Sequence, residues 1–298
     1  VQTCALPILN RGGSKGNNTI QKDYFLPSLN LKYNLNDKNS FRLGASKTYT
    51  LPQAKEISPY RYVGVNFNSQ GNPNLKPSDN YNLDLKWDFN PTPTELISLT
   101  AFYKLIKNPI SRIEVASAGG YLSYENIADK ATVAGVEIEI RKNLFVRPVS
   151  NAAHGMNKLS LGLNGSYIYT NAKMPLATVT TGSQLEGAAP WIVNFDLSHN
   201  FTKGERSFVN TLVLNYVSDK IYTIGTQGYQ DIMEQGVLTL DFVSQAKLNK
   251  HLSLNLKARN LLNPSYKLSR KANENGEKVI LNDYKKGINI SLGVSCTF

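Results

Sequence analysis

The chain has no long apolar run. No stretch approaches the roughly 20 consecutive apolar residues that a membrane-spanning helix needs, and hydrophobic residues make up only 41 % of the 298. A bundle of transmembrane helices is excluded. Cysteine is scarce: Cys4 and Cys296 stand near opposite ends, giving neither a disulfide framework nor the spacing of a metal site. His154, His199 and His251 lie apart from one another and from both cysteines, so no metal and no resident cofactor is expected. The sequence also lacks G-x-S-x-G, H-E-x-x-H and a phosphate loop. The expectation is a protein that is not an enzyme. No signal peptide is visible, and the expectation is that the natural N-terminus lies outside this sequence.

Charge is present but diffuse. The net charge is +11, yet Lys and Arg never gather into a cluster interleaved with aromatics, so nucleic acid is not an expected partner. The bland reading is a set of solvated loops and turns. The functional one is that basic loops face anionic lipopolysaccharide or an anionic substrate. Tyr (16) and Phe (11) are abundant, which suits many strands with one wet and one apolar face.

From Tyr24 onward the chain divides into segments of about ten residues that alternate apolar and polar, the signature of a transmembrane barrel. In the last segment Ile288, Ile290, Leu292, Val294, Cys296 and Phe298 share one face, and Asn289, Ser291, Gly293, Ser295 and Thr297 the other. Tyr81–Phe89 and Trp191–Ser198 alternate in the same way. Side chains of a strand point alternately to opposite faces, so such runs have one oily and one polar surface. Eleven strands are predicted, near 24–35, 40–50, 78–89, 95–106, 132–144, 159–170, 189–201, 207–217, 237–248, 252–263 and 286–298. Their connections alternate in length. Asn36–Asn39, Asn90–Thr94, Thr202–Arg206 and Asn249–His251 are short and rich in turn residues, whereas 51–77, 107–131, 171–188, 218–236 and 264–285 are long. Short periplasmic turns and long extracellular loops are how outer-membrane barrels are built. The connection Phe145–Lys158 is longer than this pattern wants. With the final strand running inward, Trp87, Phe89, Phe201, Phe208 and Phe298 fall near the periplasmic boundary, and Tyr167, Tyr169, Trp191 and Tyr216 near the outer one. Two aromatic girdles follow. A soluble β-sandwich also alternates, but its strands are usually about 5–6 residues long.

Four phrases then appear in order. Gly71-Asn72-Pro73-Asn74-Leu75-Lys76-Pro77-Ser78 leads into a predicted strand, with Pro77 at the strand entrance where no ladder donor is needed. Phe102-Tyr103-Lys104 is followed by Asn108-Pro109-Ile110. Asn126 precedes Gly135-Val136-Glu137-Ile138-Glu139. Arg259-Asn260-Leu261-Leu262-Asn263-Pro264 with Tyr266 precedes the last long loop, and the chain ends on the aromatic Phe298. Together they resemble the TonB-dependent receptors of the outer membrane, over about residues 24–298. Ser78 stands where the family more often has Glu.

The resemblance implies an all-β, transmembrane antiparallel barrel, of which residues 9–298 are the last eleven of 22 strands, with the plug domain and TonB box outside the sequence. Val1–Ile8 fits nothing downstream and resembles a translated sequencing adapter, so 1–8 is set aside as an artefact. The implied function is TonB-energised uptake of a scarce nutrient such as a ferric siderophore, haem, cobalamin or oligosaccharide. The implied partners are the TonB complex through the plug, the barrel-assembly machinery through the C-terminal strand, outer-membrane lipid and lipopolysaccharide, and a small extracellular ligand. The alternative is a passive porin, adhesin or scaffold barrel. Glu137 and Glu139 share a strand face with Arg141 and read as a polar lumen row rather than an acid–base pair. Substrate-contact candidates are Tyr60, Arg61, Tyr62 and Phe67 in one outer loop and Arg112, Tyr121 and Tyr124 in the next, since Tyr and Arg are common binding anchors.

Overall fold

The computed structural model describes residues 2–9, 15–116, 120–149, 155–174, 184–272 and 276–297, with side chains from residue 23 onward. Phe298 and His154 lie outside the described residues. Eleven strands form one antiparallel meander: β1 Ser28–Asn34, β2 Asn39–Thr50, β3 Ser78–Phe89, β4 Leu96–Lys107, β5 Lys130–Pro148, β6 Met156–Ala172, β7 Trp191–Lys203, β8 Arg206–Val217, β9 Val237–Lys247, β10 Leu252–Arg259 and β11 Asn289–Cys296. Each expected segment is a strand of this sheet. β1 and β11 each pair on one side only, so the sheet is open between them. Residues 2–9 and 15–22 pair as a separate hairpin.

The turns at the inner end follow from their sequences. Asn36 Oδ1 accepts the backbone N–H groups of Lys38 (3.0 Å) and Asn39 (2.9 Å). Asn249 Oδ1 accepts those of His251 and Leu252, both at 2.8 Å. Such side-chain loops mimic a backbone turn. Gly204, at φ +60°, closes the turn between β7 and β8, in the left-handed region where glycine carries no Cβ penalty. The expected long connection Phe145–Lys158 is shorter than its sequence implied. β5 runs on to Pro148 and β6 begins at Met156, with one register shift between Asn143 and Phe145. In the other direction, β10 ends at Arg259, because Asn260 and Asn263 both turn into positive φ.

Alternation sorts the two faces. Ile290 is 69 % exposed and Leu292 71 %, and registered apolar neighbours such as Trp87, Leu99 and Ile138 share this outer face. So much exposed apolar surface belongs in lipid. The concave face is polar. Glu139 and Arg141 pair there at 2.6 Å, beside Asn164, Asn194 and Asp196 along one groove. Among the described residues no helix is long and apolar enough to cross a membrane; strands form the apolar band.

The long connections carry structure of their own. In 51–77 and 107–131, Arg61–Tyr62, Ser69–Gln70, Tyr121–Asn126 and Ile110–Val115 form one small sheet. In 218–236 and 264–285, Lys220–Thr223, Ile232–Glu234, Ser265–Lys271 and Lys278–Lys285 form another. A bridge between Ile113 and Ile224 joins the two: Glu114 N–H donates to Ile224 O and Ile224 N–H to Arg112 O, both at 3.0 Å. The hydrophobic core lies here and not in the barrel wall. Ile113, Ile127, Ala131, Ala172, Leu185, Ile221 and Ile224 are packed out of water beneath the outer loops, which fixes loops that would otherwise carry only the entropy of ordering.

Candidate functional site

Between the two loop sheets lies a cavity of about 570 Å³. It is lined by Lys55, Asn66, Phe67, Ser69, Arg112, Leu122, Tyr124, Tyr222, Glu234, Tyr266, Lys267, Leu268, Asn282 and Tyr284. The lining holds three cations against one carboxylate, and five aromatic rings. It combines apolar contact area with convergent polar groups, as small-molecule sites do.

Arg112 is the fixed point. It sits on the strand Ile110–Val115, and its Nη2 donates to Glu186 Oε1 at 2.8 Å while its backbone N–H donates to Glu186 Oε2 at 2.7 Å. The guanidinium also lies over the Tyr222 ring, 4.2 Å from its centroid, a favourable placement of a cation on an aromatic face. Among the described residues its buried Nε has no hydrogen-bond partner. Burial works to lower the pKa of Arg112, but Glu186 and then Tyr222 outweigh it, and the value moves above its ordinary one. Tyr124 moves upward too, first through burial, with Arg112 opposing. It therefore stays a neutral phenol and a hydrogen-bond donor.

The other walls are aromatic. Phe67 and Tyr222 rings lie 6.2 Å apart. Tyr266 and Tyr284 stack at 5.4 Å, and Lys286 sits over Tyr266 at 3.9 Å.

The sequence phrases build the joint that holds these walls. A Cβ on Gly71 would meet Ser58 O at 2.4 Å and Lys55 O at 2.6 Å, both backbone, so the phrase begins with the one residue that fits there. Asn72 Nδ2 donates to Tyr124 O at 3.0 Å, holding the strand that bears Tyr124. Asn126 Oδ1 accepts from Lys76 N–H at 2.8 Å, and Asn126 Nδ2 donates to the carbonyls of Lys76 and Asn108, both at 2.9 Å. Ser78 Oγ donates to Asn108 O at 2.8 Å, while Leu75 is buried and Pro73 and Pro77 punctuate the same joint. Farther on, Asn260 N–H donates to Asp241 Oδ1 (2.8 Å), its Nδ2 to Gly287 O (2.7 Å), and Leu261 N–H to Leu240 O (2.8 Å). This ties the base of the last loop to the barrel.

Of the expected contact residues, Phe67, Arg112 and Tyr124 line the cavity. Tyr60, Arg61, Tyr62 and Tyr121 do not. Arg61 lies over Tyr121 at 5.8 Å, packing one outer loop against the next, and Lys55 lies over Tyr62 at 5.4 Å within its own loop. The sequence reading missed Tyr222, Tyr266, Tyr284, Lys267 and Asn282, because it searched two loops for anchors and the cavity draws on four. The available signal was the Tyr content of 218–236 and 264–285. Glu137 and Glu139 face the concave groove with Arg141, far from this cavity in sequence and register.

The chain matches the family model "TonB dependent receptor-like, beta-barrel" over residues 9–261. It is 24 % identical, over 78 % of its own length, to the iron-regulated outer membrane virulence protein of Vibrio cholerae, and spans 35 % of that protein. Among solved structures it resembles a variant of the ferric enterobactin receptor PfeA of Pseudomonas aeruginosa, with a TM-score of 0.56 and 18 % identity over 95 % of this chain and 40 % of that one. It also resembles the copper transporter OprC, with a TM-score of 0.62 and 15 % identity over 100 % of this chain and 44 % of that one. The chain thus spans between a third and a half of the proteins it matches.

Proposed function

We infer the function from a fixed premise: this chain belongs to the TonB-dependent receptor family, whose barrel model covers residues 9–261, and it is an integral outer-membrane protein. On that premise we propose that the protein containing it captures an anionic ferric chelate with aromatic or other flat apolar groups at its outer face. Import then draws on TonB. The observation that carries this reading is the cavity lining, where Arg112, Lys55 and Lys267 stand among Phe67, Tyr124, Tyr222, Tyr266 and Tyr284. Cations on the walls of a partly desolvated site favour a negative ligand, and the rings offer stacking surface to its apolar parts. The ferric-chelate receptor and the iron-regulated protein among its relatives support the same class.

Transport follows from the barrel type. Outer-membrane transporters of 22 strands carry a plugged lumen, so a captured ligand needs an energy source to pass inward, and the outer membrane holds none of its own. The joint built from Gly71, Asn72, Asn108 and Asn126 would link a bound ligand to the barrel wall, since it fastens the ligand-facing loops to β3, β4 and β5. The test is equilibrium binding to the purified full-length receptor. A ferric tris-catecholate chelate should bind at least tenfold more tightly than a neutral oligosaccharide of similar size. The reverse order would overturn the substrate class.

A further inference from the structure

Most of the charges around the outer cavity answer one another. Arg112 pairs with Glu186 at 2.8 Å, Lys267 with Asp283 at 3.6 Å and Glu234 with Lys220 at 3.3 Å. Seen from a few ångströms away such pairs are close to neutral, so a negative ligand gains from them chiefly by displacing a partner. Lys55 differs. Among the described residues it is the lining cation with no carboxylate within ion-pair distance. Its neighbour Glu56 is engaged elsewhere, accepting the Gln53 N–H at 2.8 Å. Lys286, over the Tyr266 ring, stands outside the lining. Lys55 is also held in place. It lies in the short helix Ala54–Ile57, which a capping box between Gln53 and Glu56 closes. Ser58 N–H donates to Ala54 O at 3.1 Å and Asn72 N–H to Glu56 O at 2.6 Å, so the Gly71-Asn72 phrase fastens the turn that bears Lys55. The ammonium rests 5.4 Å from the Tyr62 centroid, which restrains a side chain that is costly to order when free. Lys55 is exposed, so its charge meets an arriving ligand with no exchange of partners.

We propose that Lys55 is the specificity-determining residue by which the cavity selects negatively charged ligands, with Tyr62 as the positioning residue that restrains its ammonium. The proposal rests on the cavity being the ligand site. Arg112 and Lys267 contribute mainly in exchange for Glu186 and Asp283, whereas Lys55 contributes unbalanced charge. Unbalanced charge is what separates an anionic chelate from a neutral one of similar shape, since specificity is a difference between two affinities. Tyr62, which does not line the cavity, thereby acts on the ligand through Lys55.

The test is equilibrium binding of two ferric chelates of similar size, an anionic tris-catecholate and a neutral tris-hydroxamate, to the purified full-length receptor. Wild type should prefer the anion. Lys55→Gln should reduce that preference about tenfold by weakening the anion alone, and Lys55→Arg should keep most of it. Lys203→Gln, at the inner end of β7, should leave it unchanged. Tyr62→Ala should lower the preference part of the way, and Tyr62→Phe should retain it. Heat-modifiable mobility reports whether each variant is folded. Acetylation of wild type gives a readout independent of any variant: bound tris-catecholate should slow modification of Lys55 but not of Lys203. Wild type binding neither chelate, or preferring the neutral one, would overturn the reading of the cavity and this assignment with it. Three results would overturn the assignment alone, with wild type still preferring the anion: an undiminished preference in folded Lys55→Gln, equal weakening of both chelates by that variant, or Lys55 left unprotected by the bound anion.

Discussion

Arg112 and Glu186 are held together twice, through the guanidinium at 2.8 Å and through the backbone N–H of Arg112 at 2.7 Å. The pair crosses from one outer loop to another, so it both clamps the loops and occupies the cation that an anionic ligand would use. Breaking one partner of such a pair frees the other. Glu186→Gln is therefore expected to tighten binding of an anionic ferric chelate several-fold while the barrel stays folded. Arg112→Ala should weaken binding by about 2 kcal/mol, roughly 30-fold. Titration of both variants checks this; tighter binding by Arg112→Ala would contradict it.

Gly135 faces Phe102 in register on the lumen side. A Cβ there would come within 2.4 Å of the Phe102 ring and of the Tyr167 carbonyl. The ring can rotate, but the carbonyl belongs to the ladder and cannot give way cheaply. Gly135→Ala should cost about 1–3 kcal/mol of barrel stability. Gly165→Ala, whose new methyl would have Ile138 at an ordinary 3.6 Å, should be nearly neutral. Denaturant midpoints in detergent compare the two.

Leu292 is exposed on the outer apolar face and Ser291 lies on the other. Leu292→Arg should destabilise the full barrel by about 2–4 kcal/mol, and Ser291→Arg by much less. Equal losses would mean that the faces are assigned the wrong way round.

Glu95, in the turn before β4, accepts a hydrogen bond from Lys142 at 3.0 Å and another from the Asn143 N–H at 3.2 Å. These hold its pKa below the ordinary carboxylate value, against the opposing effect of burial. A carboxylate with a lowered folded-state pKa stabilises above its unfolded pKa, and that contribution disappears as pH falls through the folded value. Wild type should therefore lose more thermal stability than Glu95→Gln between neutral pH and about pH 3. Parallel melts of the heat-modifiable band would show it.

The barrel was legible because a period of two leaves a mark on every strand: Leu83, Leu85 and Trp87 alternate with Asp84 and Lys86, and the sheet pairs them as that alternation requires. The phrases around Gly71, Asn108 and Asn126 were visible too, but not that they form one hydrogen-bonded joint, since their partners lie 18 to 52 residues apart. The cavity was half legible. Phe67, Arg112 and Tyr124 stood out by residue type, whereas Tyr60, Arg61, Tyr62 and Tyr121 have the same types and lie outside the cavity lining. Composition does not distinguish a ring that stacks on its neighbour from one that faces a ligand. Tyr222 and Tyr284 join the site only because the bridge between Ile113 and Ile224 brings distant loops together, and no local pattern announces that contact.

The most direct test is uptake by cells carrying the full-length gene, supplied with a radiolabelled ferric tris-catecholate chelate. Uptake is measured with the proton motive force intact, with an uncoupler, and in a strain lacking TonB. The account expects accumulation in the first condition, with surface binding but no accumulation in the other two. Uptake that continues unchanged without TonB or a proton motive force would contradict it and indicate a passive pore.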